Sequence, residues 1–297
     1  MEVALPDGMR RALLALREGG GPVEVDAVAQ QLLALSERPA PELARRLVAG
    51  LLGAAPASLP AELEPDALRT RAERRAAAVP LRDGVFTVVD VETTGLSPKT
   101  DAVIEIGAAR VVRGEIASRF ETLLRPPGPG PLSTRIERLT GIASAMLADA
   151  PSAAAGLGRF RSWLEAAPEA PWVAHNARFD RGFLERAFRA QGEEPPGVAV
   201  LCTQKLSRRL LPRLGRYDLD HLCAHFGIGN RARHRALGDA EATARAWIEL
   251  LESARAAGHA RVGDLLDLQE RPIRRRRKRK SKRAGEAGPP SAVRSGR

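Results

Sequence analysis

The chain is poor in cysteine and in aromatic residues. It contains two cysteines, Cys202 and Cys223, and Phe, Trp and Tyr together make up 4% of its 297 residues. Two cysteines are too few for a disulfide framework, which excludes the disulfide-stapled secreted domains. No apolar run approaches the roughly 20 residues that a membrane-spanning helix needs, and the acidic Glu2 and Asp7 do not fit a signal peptide. We therefore expect a cytoplasmic protein without a membrane partner.

Acidic charge is scarce at one end of the chain only. Residues 271–297 contain 12 Lys or Arg residues and one acidic residue, Glu286, which accounts for the whole formal net charge of +11. The rest of the chain carries 35 basic and 35 acidic residues. Nine of the ten residues 274–283 are basic, and such a block cannot bury itself. We expect a disordered tail that binds nucleic-acid phosphates in a salt-sensitive way; a plain solubility extension is the alternative.

Changes in residue pattern divide the chain into three parts. Residues 1–80 are rich in Ala, Leu and Arg at helical spacing, and residues 62–80 look like a charged connecting helix. We interpret this part as a small helical N-terminal region that packs on the main domain or docks a partner. A helix-turn-helix or winged-helix-like unit is the alternative, but the segment lacks a basic recognition stripe. We expect residues 81–258 to form the main domain and residues 259–297 to be a linker and the basic tail.

The main domain alternates between strand and helix patterns. The patterns predict strands over 85–91, 102–113, 116–125, 172–174 and 198–201, and helices over 133–142, 152–166, 177–191, 203–211, 218–226 and 236–257. Arg113-Gly114-Glu115 is typical of a tight hairpin, so the first three strands should form an antiparallel meander. The later strands, each next to a helix, should extend the sheet in parallel. The predicted fold class is α/β, with a mixed five-stranded sheet and helices on both faces.

Two carboxylates stand at alternate positions at the end of the first of these strands. Residues i and i+2 of a strand point to the same face, so Asp90 and Glu92 should project together. Two carboxylates at such a short distance repel each other unless a cation lies between them. Carboxylate oxygens are hard ligands, which suit Mg²⁺ or Mn²⁺. Taken alone, however, an Asp-x-Glu at a strand end is usually solvated charge in a loop.

Two further acidic residues and a histidine follow at the starts of helices. Asp180 stands in the first turn of a helix that comes directly after a strand, where a carboxylate can also act as a simple helix cap. Asp239 opens the last long helix, and His234 lies five residues before it on a loop. A histidine has the near-neutral pKa that a general base for water activation requires.

In chain order, these residues form three short motifs. The motifs are Asp90-x-Glu92-Thr93-Thr94-Gly95, His175-Asn176-x-x-Phe179-Asp180 and His234-x-Ala236-x-x-Asp239. Together they resemble the three exonuclease motifs of the DEDDh family, which includes the proofreading epsilon subunit of bacterial DNA polymerase III and ribonuclease T. The resemblance covers residues 84–255, and it is supported by the segments 104–107, 139–142 and 217–222.

The resemblance implies a ribonuclease-H-like fold and metal-dependent 3′→5′ hydrolysis of phosphodiester bonds with release of nucleoside 5′-monophosphates. It implies that Asp90, Glu92, Asp180 and Asp239 hold two divalent ions, Mg²⁺ or Mn²⁺, and that His234 is the general base. It also implies a set of residues that contact the terminal nucleotides: Thr93, Thr94, Gly95, Leu96, Thr140, Ile142, Asn176 and Phe179.

On this basis the leading hypothesis is an exonuclease that acts on the 3′ end of single-stranded DNA in proofreading or repair, at the nucleoid. A proofreading role would need a DNA polymerase subunit as a partner in trans. An RNA-trimming enzyme of the ribonuclease T type is the alternative, because the 2′-OH is sensed by local shape that the residue pattern does not reveal. A hypothesis of another class is a non-catalytic module that binds nucleic acid or a polymerase.

Overall fold

The computed structural model describes residues 23–52, 57, 62–63, 71–128, 130–230 and 232–271. The part before residue 80 has two short paired strands, β1 (Val23–Glu24) and β2 (Glu62–Leu63), and three helices, α1 (Val25–Leu32), α2 (Pro41–Leu52) and α3 (Arg71–Ala77). The predicted helical N-terminal region is thus confirmed where it is described. The single helix predicted over 62–80 is wrong at β2, because Glu62 and Leu63 pair with β1 instead, a long-range contact that the local pattern does not contain.

The main sheet has five strands in the order β5-β4-β3-β6-β7. They are β3 (Val85–Thr93), β4 (Val103–Val112), β5 (Glu115–Leu123), β6 (Trp172–Ala174) and β7 (Val200–Cys202). Strand β4 pairs antiparallel with β3 and β5, whereas β6 is parallel to both β3 and β7. The predicted meander and the parallel extension of a mixed sheet are confirmed.

Eight helices among the described residues follow β5 or lie between the later strands. They are α4 (Thr134–Thr140), α5 (Ser144–Ala148), α6 (Ala153–Leu164), α7 (Arg178–Ala190), α8 (Thr203–Leu210), α9 (Leu219–His225), α10 (Ala236–Ala256) and α11 (Val262–Glu270). Six of them match predicted helices. The other two, α5 and α11, were not predicted.

Successive residues of β3 supply two separate apolar cores, one on each face of the sheet. Phe86 and Val88 pack with Trp247 of α10, and the rings of Phe86 and Trp247 lie 5.1 Å apart. Val89 and Val91 face the opposite core, which α6 and α7 cover. Successive residues of a strand point to opposite faces, so this arrangement places helices on both sides of the sheet, as predicted. Asp90 and Glu92 continue the series that points toward α10.

Residues 259–271 differ from the expected linker. Helix α11 buries Val262, Leu265 and Leu266 in the core that α10 also covers. The Gln269 side chain donates to the Val200 carbonyl and accepts from the Cys202 amide, both at 2.9 Å. It thus pairs with backbone groups of β7, the last strand of the sheet, as a neighbouring strand would. The basic tail, residues 272–297, lies outside the described residues. In the part of the chain that the structure covers, no helix is long and apolar enough to cross a membrane.

Candidate active site

Strand β3, the central strand of the sheet, carries Asp90 and Glu92 near its C-terminal end. In the pairing with β4, Asp90 lies opposite Gly107 and Glu92 opposite Glu105, and the register shifts directly after Glu92. The chain then turns: the Thr94 amide donates to the Ala102 carbonyl at 2.9 Å, and the Ala102 amide donates to Thr94 Oγ1 at 3.0 Å. Both carboxylates therefore stand on one face, just before a closed turn.

Gly107 allows α10 to approach this face. A Cβ atom at Gly107 would lie 2.1 Å from the carbonyl carbon of Ala236, the first residue of α10. No side chain can occupy that space, so the start of the helix rests directly on β4 opposite Asp90. This contact brings Asp239, in the first turn of α10, toward the carboxylates of β3.

Asp180 reaches the cluster from the other side of the sheet. It stands in the first turn of α7 and is 2% exposed. Its Oδ1 accepts from the backbone amide of Val91 at 3.2 Å, so its carboxylate lies beside β3 between the positions of Asp90 and Glu92. Helix capping alone does not explain the residue, because this bond joins two elements 89 positions apart.

His234 lies on a strained loop that is tied to Asp239. Its φ is +61°, a left-handed backbone conformation that costs free energy for a residue with a side chain. Its amide donates to Asp239 Oδ2 at 3.0 Å, and the Asn230 side chain donates to Asp239 Oδ1. Among the described residues, Glu92, His234 and Asp239 form one group whose ligand atoms all lie within 4.8 Å of one another. Asn230 was missed, because no motif of the chain includes it.

The acidic side chains of the cluster resist ionisation. Desolvation, followed by the charges of Asp180, Asp239 and Glu92, holds the pKa of Asp90 well above its usual range. Desolvation and the charge of Asp239 raise the pKa of Glu92 to about 7. Desolvation raises the pKa of Asp180 to about 8, although amide hydrogen bonds oppose it, and desolvation also raises the pKa of Asp239. Hard oxygen ligands that repel one another in this way fit divalent cations such as Mg²⁺ or Mn²⁺.

The predicted substrate residues lie in two segments and on α7. In the turn after β3, Thr93 is buried and its Oγ1 donates to the Gly95 carbonyl at 2.5 Å, while Leu96 is 82% exposed. At the start of α7, Asn176 is exposed with a φ of +63°, and the ring of Phe179 packs 4.8 Å from that of Phe183. Leu96 is thus the most exposed apolar side chain of this set.

The second segment differs from the prediction at Ile142. Thr140 is buried and its Oγ1 accepts from the Ile142 amide at 3.1 Å. Ile142 itself is fully buried in a small core with Ile104, so its side chain is not available to stack on a base. Leu139 and Met146, at 47% and 39% exposure, are the exposed apolar residues nearby in sequence.

A ribonuclease-H-like sheet with a carboxylate cluster at the C-terminal end of its central strand is the arrangement of a DEDDh-type nuclease. The family model described as "Exonuclease" (RNase T) matches residues 87–247, which is more than half of the chain. The chain therefore belongs to this exonuclease family, whose members hydrolyse nucleic acid, and the resemblance read from the three motifs is confirmed.

Part of the chain is similar to a much longer DNA polymerase. The PolC-type DNA polymerase III of Staphylococcus aureus is 38% identical over 180 residues, which cover 61% of this chain and 12% of that protein. The chain thus matches a small part of that relative's length.

Two solved structures share the fold. Exonuclease I of E. coli in complex with a dT13 oligonucleotide has a TM-score of 0.52 at 19% identity, covering 59% of this chain and 42% of that one. The nuclease domain of 3′hExo, a DEDDh family member bound to rAMP, has a TM-score of 0.51 at 18% identity, covering 57% of this chain and 92% of that one. At these identities the likeness supports the predicted fold.

Proposed function

We propose that the protein is a metal-dependent 3′→5′ exonuclease that removes nucleoside 5′-monophosphates from the end of single-stranded DNA. The observation that carries the proposal is the convergence of Asp90, Glu92, Asp180 and Asp239 from three separate elements, with His234 held at their edge. A protein that only binds nucleic acid has no need of four carboxylates with raised pKa values beside a histidine. The nuclease domain of this proposal runs from residue 81 through α11.

The carboxylates are the candidate ligands of two Mg²⁺ or Mn²⁺ ions. Such ions activate water and stabilise the leaving oxygen in phosphodiester hydrolysis. The chain's own contribution is placement: the Val91 amide orients Asp180, and the His234 amide and Asn230 orient Asp239. Fixed side chains of this kind lower the reorganisation that the reaction requires.

His234 is the candidate general base. One of its ring nitrogens lies within 4.8 Å of carboxylate oxygens of Glu92 and Asp239, so it borders the space that an attacking water would occupy. Its strained backbone is consistent with a functional constraint on its position. In this role its neutral form accepts the proton of the water.

Exposed Leu96 and the turn at Thr93–Gly95 are the candidate contacts for the terminal nucleotide. An apolar side chain that stacks on bases tolerates any sequence, which suits an enzyme that trims one nucleotide after another. The similarity to a DNA polymerase favours DNA as the substrate and a polymerase subunit as a partner, in the cytoplasm at the nucleoid.

A time course on matched oligonucleotides tests the proposal. Single-stranded DNA, duplex DNA and RNA of one sequence, each labelled at the 5′ end, are incubated with the full chain and Mg²⁺ or Mn²⁺. We expect ladders that shorten from the 3′ end, fastest on single-stranded DNA, and no cleavage in EDTA. A circular single strand is the matched control, because it has no end and should survive.

Each other result has a definite meaning. Faster shortening of RNA would replace the DNA proposal with the RNA-trimming alternative. Cleavage of the circle would contradict an exonuclease, and shortening from the 5′ end would contradict the assigned polarity. Binding without cleavage in either metal would favour the non-catalytic module.

A further inference from the structure

An ion pair that the proposed reaction does not use lies next to the candidate site. Its acidic partner is Glu105 on β4, which is completely buried. Its basic partner is Arg235, which stands between His234 and the first residue of α10. Arg235 Nη2 and Nε donate to Glu105 Oε1 at 2.6 and 3.0 Å, which is a two-pronged contact between a guanidinium and a carboxylate. Such pairs fix geometry as well as charge.

The other oxygen of Glu105 holds the start of α10. Glu105 Oε2 accepts from the amide of Ala236 at 2.8 Å, so the carboxylate binds the residues at both ends of one peptide bond. The next residue toward the N-terminus is His234, whose own amide binds Asp239. The backbone of the loop is therefore fastened on both sides of the histidine.

The pair also lies beside the acidic cluster. Glu105 lies directly opposite Glu92 in the β3–β4 register, so an unpaired Glu105 would add a further negative charge beside the carboxylates. Arg235 offsets that charge and also donates to Glu121 of β5 at 3.1 Å. Gly107 lets the start of α10 rest on β4. The Glu105–Arg235 pair therefore holds this end of the helix against the strand.

We propose that Glu105 and Arg235 are positioning residues that fix the His234 loop and the first turn of α10 on β4. This inference rests on the proposed function for the role of His234, but the placement of the loop can be measured independently. The strained backbone at His234 explains why such contacts are needed, because a residue keeps a left-handed conformation only where its surroundings hold it there.

The test compares four variants of the full chain, and one combination of two of them, with the wild type. E105Q/R235M removes both charges, so that no single charge is left buried without a partner. R235K keeps the charge but loses the two-pronged contact. R119M/E241Q is the matched control, because the Arg119–Glu241 ion pair also joins the sheet to α10. H234A gives the rate without the histidine.

We expect E105Q/R235M to fold and to lose roughly 10- to 100-fold in kcat, while KM for an oligonucleotide changes less than about 2-fold. R235K should lie between it and the wild type, and the control pair should match the wild type. Combining H234A with E105Q/R235M should cost less than the product of the two separate losses, because part of the effect of the pair passes through His234. An unchanged kcat, a rise in KM at constant kcat, or fully additive losses would overturn the inference.

Amide hydrogen exchange supplies a readout that does not need activity. In E105Q/R235M, and to a lesser extent in R235K, peptides covering 232–238 should exchange faster while the rest of α10 stays protected. Unchanged exchange there would overturn the inference even if the protein proved not to be a nuclease. Conversely, an active H234A together with faster loop exchange would refute the role given to His234 and leave the positioning of the loop in place.

Discussion

Raising the pH from 6.5 to 8.5 without divalent ions should destabilise the protein. The folded state raises the pKa of Glu92 from 4.5 to about 7 and that of Asp180 from 3.8 to about 8. A raised carboxyl pKa means that the folded state binds more protons than the unfolded state, so stability is lost as the pH rises through these values. The chosen window covers the upper part of both transitions.

The expected loss follows from the same two pKa values. Between pH 6.5 and 8.5, Glu92 contributes about 1 kcal/mol and Asp180 about 2 kcal/mol to the fall in the free energy of unfolding. For a domain of this size such a loss lowers Tm by roughly 5–10 °C. Thermal melts followed by circular dichroism in EDTA at both pH values measure it. Added Mn²⁺ should raise Tm more at pH 8.5, where the carboxylates are ionised and ready to bind a cation.

E92Q is the control for this measurement. The variant removes one of the repelling charges, so its Tm should fall less between the two pH values. A Tm that stays level or rises with pH in EDTA would refute the electrostatic account of the cluster. An equal gain from Mn²⁺ at both pH values would refute the link between ionisation and metal binding.

Three other perturbations have definite expected outcomes. Gly107→Ala should destabilise the fold and lower kcat, because the added Cβ would overlap the start of α10. Thermal melts and rate assays measure both effects, and Gly158→Ala is the control, because a Cβ at Gly158 meets nothing within 4 Å. Burial lowers the pKa of His175 to about 4, so this residue destabilises the fold as the pH falls from 6.5 toward 4. Over that range the Tm of H175Q should fall less than the Tm of the wild type, and a constant difference between the two Tm values would contradict this expectation. Removing residues 272–297 should leave turnover of short oligonucleotides intact but weaken binding of long single strands at low salt, and equal binding in titrations would refute the role of the tail.

Local patterns were enough to predict the sheet and the positions of most helices. The run from Val85 to Val91 marks a buried strand, and Gly114 marks the hairpin, because these signals depend only on neighbouring residues. Helix α11 was missed because its apolar residues, Leu265 and Leu266 among them, stand just before the basic block that dominates the end of the chain. Burial of that face depends on α3 and β7, which the local pattern does not contain.

The candidate site was predictable only as a set of residue types. Spacing on β3 placed Asp90 and Glu92 on one face, and the motifs brought in Asp180, His234 and Asp239. The contacts that orient them depend on strand register and helix approach. The Glu105–Arg235 pair joins residues 130 positions apart, and no spacing rule connects them. Ile142, which was predicted to stack on a base, is buried for the same reason, since it packs in a small core with Ile104 of β4.

The Asp90→Ala variant tests the assignment of the acidic cluster, through its rate of hydrolysis and its affinity for single-stranded DNA beside the wild type, in Mg²⁺ and in Mn²⁺. The variant should bind the oligonucleotide but release no mononucleotide in either metal. Hydrolysis that survives the substitution would contradict the assignment of the cluster as the catalytic site.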